Sequence, residues 1–312
     1  MSLYPRVITE YLAALAIPRG PESRIFLVDP EEGVDTALGD RWTKPLKTLI
    51  KAEDKCVAER HDTVLFLARA TADNPTAAIL WDKDYTHLVG LGPSLYGVGQ
   101  RSRVVMATAT ALTPVITFSG NGCIVKNMQF GNEKASGSAA GVAIMTGQRC
   151  YFENVFFMCP FPTDAASYSL KLSGGENVFL RCSIGQTTAV RTGASYGLWM
   201  HKGAGDNQRN KFVKCEFKSW GGGAATHVLV YVQSDIDNEG WSQQFEDCLF
   251  HNLLGVALAQ AIDDNCAVPH QILLRGHNSF AGVTTIADDK VDILAADYAT
   301  AYKGGLMSTV ID

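Results

Sequence analysis

A short pattern returns five times between residues 124 and 250, and it restricts the chain to a stacked architecture. The copies are Ile124-Val-Lys-Asn127-Met128, Tyr151-Phe-Glu-Asn154-Val-Phe156, Phe179-Leu-Arg-Cys182-Ser-Ile184, Phe212-Val-Lys-Cys215-Glu-Phe217 and Phe245-Glu-Asp-Cys248-Leu-Phe250. Each runs aromatic or aliphatic, any residue, charged, Asn or Cys, any residue, then usually apolar. The Asn and Cys positions are spaced by 27, 28, 33 and 33 residues, and Ile272-Leu-Leu-Arg275 is a weaker sixth copy. A second run keeps the same rhythm: Val142-Ala-Ile-Met145, Tyr168-Ser-Leu-Lys-Leu172, Tyr196-Gly-Leu-Trp-Met200, Val228-Leu-Val-Tyr-Val232 and Val256-Ala-Leu-Ala259. Runs of four to six residues with Gly, Asp and Asn between them are strands, too short for helices. Two or three short strands per period of about 27–33 residues make one coil of a parallel β-helix, with successive coils about 4.8 Å apart.

Strand alternation then assigns faces. One face is expected to carry Val125/Asn127, Phe152/Asn154/Phe156, Leu180/Cys182/Ile184, Val213/Cys215/Phe217 and Cys248/Phe250. The other carries Lys126, Glu153, Arg181, Lys214 and Asp247, with Glu246 interrupting the inner pattern. Stacked Asn side chains can bond to the copies above and below. Cysteine is a small, readily buried side chain, so Cys182, Cys215 and Cys248 are expected to fill the core.

Composition excludes several alternatives. Hydrophobic residues make up 46%, charged residues 19%, and glycines number 29 in 312 residues, which suits a buried, turn-rich β protein and not a disordered chain. The net charge of -5, with Lys and Arg scattered, lacks the basic stripe a nucleic-acid binder needs. No apolar run reaches the roughly 20 residues needed to span a membrane, and the N-terminus lacks the basic start and apolar core of a signal peptide. The expectation is a protein made and folded in the cytoplasm. The eight cysteines form no CxxC pair and no Cys/His metal spacing, so neither a metal nor another cofactor is expected.

Residues 24–69 carry a different pattern. Arg24-Ile-Phe-Leu-Val-Asp29 reads as a strand, followed by the turn-rich Gly33-Val-Asp35 and Gly39-Asp-Arg-Trp42-Thr-Lys-Pro45. A helix is then expected, N-capped by Thr43, with Pro45 in its first turn and Leu46, Leu49, Ile50 and Val57 on one face. Asp62-Thr-Val-Leu-Phe-Leu67 reads as the next strand. This order resembles the opening of pectate-lyase-like right-handed β-helix domains, including those of phage tailspikes and related virion proteins. The resemblance implies that the helix caps the first coil, as an open solenoid end requires. It covers roughly residues 24–280. The expected organisation is an arm or cap at 1–23, a β-helix at 24–285 and a cap or docking tail at 286–312. An amphipathic helix at Val7–Leu15 and the apolar runs Val291–Tyr298 and Leu306–Ile311 either cover the solenoid or grip a neighbour.

Chemistry is harder to find. Asp263-Asp264-Asn265 followed by Arg275-Gly276-His277-Asn278 is faintly similar to the paired-Asp and Gly-His-Gly elements of polygalacturonases, but that family's other elements and the glycine after the histidine are missing. Asp263, Asp264 and His277 are thus the candidate residual glycan site, although Asx residues equally suit a loop. Gly203-Ala-Gly-Asp-Asn207 and Gly221-Gly-Gly-Ala224 lack the trailing Lys-Ser/Thr of a phosphate loop. His201 and His227 fall within strand copies. Trp199, Trp220 and Trp241 offer faces for stacking sugars or for packing. Three functions follow: a non-catalytic phage virion protein that decorates the capsid as an oligomer, expected to be a homotrimer on the major capsid protein or another virion protein; a tailspike-type depolymerase; or a non-catalytic binder of cell-surface glycan. The first is preferred, with no catalytic residues assigned.

Overall fold

The structure, a computed structural model, describes residues 12–92, 102–106, 114–133, 141–158, 166–185, 188, 190, 193–202, 207–220, 227–233, 243–253, 257–265, 270–287 and 291–295. Three parallel sheets run the length of one right-handed solenoid. The first sheet has ten strands, from Ile25–Val28 through Thr63–Phe66, His87–Gly90, Ile124–Lys126, Tyr151–Glu153, Val178–Leu180, Lys211–Val213, Gln243–Glu246 and His270–Arg275 to Val291–Ala295. The second has seven, from Arg103–Met106 to Ser279–Ala281, and the third eight, from Ile79–Trp81 to Val283–Ala287. The expected β-helix is therefore present, and strands continue beyond residue 285.

The repeat is real, but its facing differs from the expectation. Phe152, Phe179, Phe212 and Phe245 point inward and stack at 4.9, 4.7 and 5.0 Å between ring centroids. Leu180, Val213 and Glu246 lie on the outside, so Glu246 interrupts nothing and pairs with Lys211 at 2.7 Å. Phe156 also lies outside, while Phe157 is buried. The cause is a corner between the first and second sheets that alternation cannot carry through. Asn127, Asn154, Arg181, Lys214 and Asp247 all sit there with φ between 52° and 56°. The Cys182 position therefore aligns with Val155, not Asn154, a one-residue slip in the third copy. Each of these left-handed residues donates its N–H to the next coil, as Arg181 does to Val213 O at 2.9 Å, which offsets a cost of about 1–2 kcal/mol. A matching column, His61, Tyr85, Gly122, Arg149, Glu176 and Arg209, turns the chain into the first sheet with φ of 54–63°.

Inside the corners run polar ladders. The thiols of Cys182, Cys215 and Cys248 donate to Phe152 O, Phe179 O and Phe212 O, one coil away. Asn278 takes the same position in the next coil, donating to Phe245 O at 3.2 Å. At the entrance corner, Cys150, Asn177, Asn210 and Gln243 succeed one another, each accepting the N–H of the rung before. The Asn stack expected at 127 and 154 also forms, Asn154 Nδ2 donating to Asn127 Oδ1 at 2.9 Å.

Helix α1 spans Leu49–Lys55 and buries Leu49 and Ala52 in the main core. Its N-cap is Thr48, not Thr43, because Leu46 is already used in a β-bridge to Val28. Val57 is exposed rather than part of its apolar face. The Gly-x-Asp turn acquires a purpose: a Cβ on Gly33 would collide with Leu46 O at 2.2 Å, and Asp35 accepts the N–H groups of Lys47 and Thr48. Residues 12–17 lie across the outer face of the first sheet, where Leu12 and Ile17 pack on Ile25, Leu27, Leu65 and Val89. The expected helix residues before 12, and the tail beyond 295, lie outside the described residues.

Candidate functional site on the outer face of the third sheet

Asp263 and Asp264 are neighbours on one strand, and the pleat sends them to opposite sides. Asp264 is fully buried beside Val232, whereas Asp263 is half-buried and in register with Tyr231. His277 is exposed at the corner between the first and second sheets, its N–H donated to Asp247 Oδ1 at 2.8 Å. The three residues do not converge, so this constellation cannot place two carboxylates across a glycosidic bond.

The third sheet nevertheless gathers an aromatic cluster. Its outer row runs Lys171, Trp199, Tyr231, Asp263 on successive strands. Tyr196 stacks on Tyr231 at 4.2 Å, and Trp199 meets Tyr196 at 5.2 Å and Tyr168 edge-on at 5.7 Å. Lys171 Nζ lies 4.1 Å above the indole, whose Nε1 donates to Gln233 Oε1 at 2.8 Å. Asn265 Nδ2 donates to the Tyr231 hydroxyl, and the His201 ring lies 6.4 Å from Trp199. Burial, then Tyr231 and Asp263, raise the Tyr196 phenol above its ordinary pKa. Trp199 was singled out by sequence; Tyr196 and Tyr231 enter only through register. The rings are half-buried and lean on one another, so much of their face area is already used.

Trp220 is half-buried immediately after the second sheet's Glu216–Ser219 strand. Trp241, Gly203–Asp206 and Gly221–Ala224 lie outside the described residues. Asn207, the last residue of the first glycine run, is buried and donates to Leu172 O. His227 is buried with Nδ1 2.8 Å from Ser195 Oγ.

Sequence reading missed a charged cluster on the second sheet's outer side. Glu216 accepts from Ser183 Oγ at 2.9 Å and Lys218 Nζ at 2.8 Å, and its other oxygen lies 3.0 Å from His251 Nε2. Burial alone would raise its pKa, but His251, Lys218 and Ser183 together hold the carboxyl down at about 2. The signal was the alternation Glu216-Phe-Lys218, legible only once the corner phase is known. Six described cysteines are buried and unpaired, and burial pushes the Cys56 and Cys215 thiols up, away from nucleophilic chemistry. Among the described residues no three His, Cys, Asp or Glu side chains gather to hold a metal ion, and no helix is long and apolar enough to cross a membrane.

Three parallel sheets, turned by left-handed corners around stacked phenylalanines, define a right-handed parallel β-solenoid. In particular, the chain has the pectate-lyase-like parallel β-helix fold. It aligns with pectate lyase Pel9A at a TM-score of 0.54 and 12% identity, covering 90% of this chain and 76% of that one. Pectin methylesterase PemA from Erwinia chrysanthemi gives 0.53 and 13%, covering 88% and 93%. ORF18 of Geobacillus virus E2 also matches, at 0.38 and 11%, covering 94% and 63%. No family model and no curated protein matches the chain. Identities this low establish the fold and leave the activity open.

Proposed function

We propose that this β-helix is a structural protein of a bacteriophage particle, decorating the capsid surface as an oligomer. One observation carries the reading: among the described residues, the candidate carboxylates and aromatic rings are engaged within the solenoid. Asp263 and Asp264 are split between faces, Glu216 is surrounded by Ser183, Lys218 and His251, and the aromatic rings of the third sheet lean on one another. The opening motif, whose Gly33, Asp35 and Thr48 assemble the cap, adds the resemblance to virion β-helices. Quantitative peptide mass spectrometry on purified particles tests it. Hundreds of copies per particle are expected; complete absence would overturn the proposal.

A glycan-binding reading is favoured by the row of Trp199, Tyr231 and Asp263, where polar groups flank aromatic rings. If that reading holds, Tyr231→Ala abolishes retention on an immobilised cell-surface polysaccharide while the protein stays folded. Depolymerase activity would show instead as release of reducing or unsaturated sugar ends, lost in Asp263→Ala.

A further inference from the structure

One rung of the first sheet is joined to the next through a side chain. Elsewhere the N–H groups that open its strands are given to backbone carbonyls one coil back: His87 to Asp62 O, Tyr151 to Cys123 O, Val178 to Cys150 O and Lys211 to Asn177 O. Ile124 N–H is given instead to Nδ1 of His87, at 3.2 Å. His87 is fully buried, and its Nε2 lies 3.1 Å from Nδ1 of His61, the two rings stacked at 5.4 Å. This rung, His87–Gly90 beside Ile124–Lys126, is where the N-terminal coils meet the first copy of the repeat.

These contacts dictate where the protons sit. An imidazole nitrogen that accepts carries no hydrogen, so neutral His87 holds its proton on Nε2 and gives it to His61 Nδ1. Protonating His87 would set a new Nδ1–H against Ile124 N–H. Protonating His61 would set its Nδ1–H against the Nε2–H of His87. Either way two donors face each other. The surrounding charges do not compensate. Asp62 acts on His87, but its oxygens already accept from Arg60 and from the N–H groups of Arg24 and Val57. Tyr85 stands against the His61 ring at 5.6 Å, Lys126 and Glu153 pair with each other, and residues 12–17 bring no titratable side chain. Burial first, then His61, hold His87 down at about 4 from its ordinary 6.5, against Asp62.

The strand Ile124–Lys126 also anchors residues 12–17. Ile124 packs on the cluster that seats Leu12 and Ile17, and Lys126 Nζ donates to Leu15 O. We propose that His61 and His87 form a proton-operated latch: the neutral pair ties the N-terminal coils to Ile124–Lys126, and protonation of either ring frees that strand and, with it, residues 12–17. The fold favours neutral His87, so the latch is closed above about pH 6.5 and is destabilised as pH falls toward 4. The inference is independent of the virion reading.

The test is amide hydrogen exchange on the full chain, corrected for the intrinsic rate at each pH. From about pH 7 to about pH 5, the protection of Ile124 is expected to fall about tenfold or more, and that of Ala16 and Ile17 to fall with it. Tyr151 and Val178, whose N–H groups meet carbonyls, should keep theirs. His87→Asn retains an oxygen for Ile124 N–H and does not titrate, so protection there should no longer depend on pH. In case the variant misfolds, the ring nitrogen shifts of wild-type His87 give a second readout, a proton on Nε2 at neutral pH. A proton on Nδ1 instead would overturn the proposal. So would Ile124 protection that merely follows Tyr151 and Val178, loss at Ile124 without loss at Ala16 and Ile17, or a folded His87→Asn that keeps the pH dependence.

Discussion

Between residues 141 and 253 the solenoid repeats itself rung by rung; between 25 and 92 few contacts recur. In the middle, the ring of Phe152 is continued by Phe179, Phe212 and Phe245, and the thiol of Cys182 by those of Cys215 and Cys248. At the N-terminal end, individual carboxylates hold the chain. Asp29 pairs with Arg69 and accepts from Glu31 and Glu32 N–H; Asp62 binds Arg60 and the N–H groups of Arg24 and Val57; Asp73 accepts from Leu49 at the start of α1. The difference follows from stacking. A coil in the middle has a near-copy on each side, so a ladder position asks only for a donor or a volume. Cys150, Asn177, Asn210 and Gln243 show how freely the residue type can then change. The first coils meet the cap and the connecting turns where the middle coils meet near-copies, and each carboxylate there satisfies backbone groups that no ladder reaches.

The comparison predicts that the middle responds to lost volume and the end to lost charge. Phe212→Ala, in the centre of the stack, is expected to cost about 3–5 kcal/mol, and Phe212→Leu under about 1.5 kcal/mol. Asp62→Asn preserves shape at a fully buried position. It is still expected to cost roughly 2–4 kcal/mol, because Arg60 loses its charge partner and an amide cannot accept at both oxygens. Urea unfolding of the three variants checks both statements. A neutral Asp62→Asn beside a damaging Phe212→Leu would reverse the comparison.

pH sets a limit on that rule, because two buried carboxyls shift in opposite directions: one in the middle depends on its charge and one at the end is penalised by it. Glu216, in the middle, is held near 2, below its ordinary 4.5. Its contribution is present above pH 4.5 and lost as pH falls toward 2. Glu216→Gln should therefore cost roughly 2–4 kcal/mol at pH 7, leaving Lys218 buried without its partner, and progressively less below pH 4.5. Burial pushes Asp73, at the N-terminal end, up to about 6 from 3.8, against the bond from Leu49 N–H that lowers it. The fold favours its neutral form, so this group destabilises as pH rises from 4 through 6. Asp73→Asn keeps an acceptor for Leu49 and should be more stable than wild type by roughly 1–2 kcal/mol at pH 8. That advantage should vanish below pH 4. Stability measured from about pH 3 to about pH 8 checks the contrast, which fails if both variants depart from wild type in the same direction as pH rises.

The sequence made the period, the parallel solenoid and the cap legible, because recurrence of Phe-x-charged-Cys survives whatever the corners do. It did not reveal the facing. Alternation predicts Leu180 and Val213 inside, and only a left-handed residue in between puts Phe179 and Phe212 there instead. Glycine advertises that conformation, but here Arg181, Lys214 and Asp247 adopt it, and nothing in their identity announces it. The helix start moved from Thr43 to Thr48 for a similar reason, since Leu46 joins a bridge to Val28 that local propensity cannot see. Trp199 was visible as a candidate, but its partners Tyr196 and Tyr231 lie on adjacent coils, and pairing them requires the register. The separation of Asp263 from Asp264 follows from the pleat alone once their strand is known.

The corner column supplies the smallest and most diagnostic effect. Lys214 holds φ 52° with its N–H bonded to Glu246 O at 2.8 Å. Glycine reaches that conformation without the Cβ clash, and Gly276 occupies φ 65° after the first sheet's strand two coils on. Relief of about 1 kcal/mol of strain is opposed by the larger unfolded-state entropy of glycine, so Lys214→Gly should stabilise by roughly 0.5 kcal/mol or be neutral. Lys214→Ala, which retains the Cβ, should not gain. At Lys211, three residues earlier in an ordinary strand conformation, glycine should cost about 0.5–1 kcal/mol. A set of three variants read in one denaturant titration thus separates backbone from side chain. If Lys214→Gly is as harmful as Lys211→Gly, the left-handed corner is not where this chain turns, and the facing derived from it fails as well.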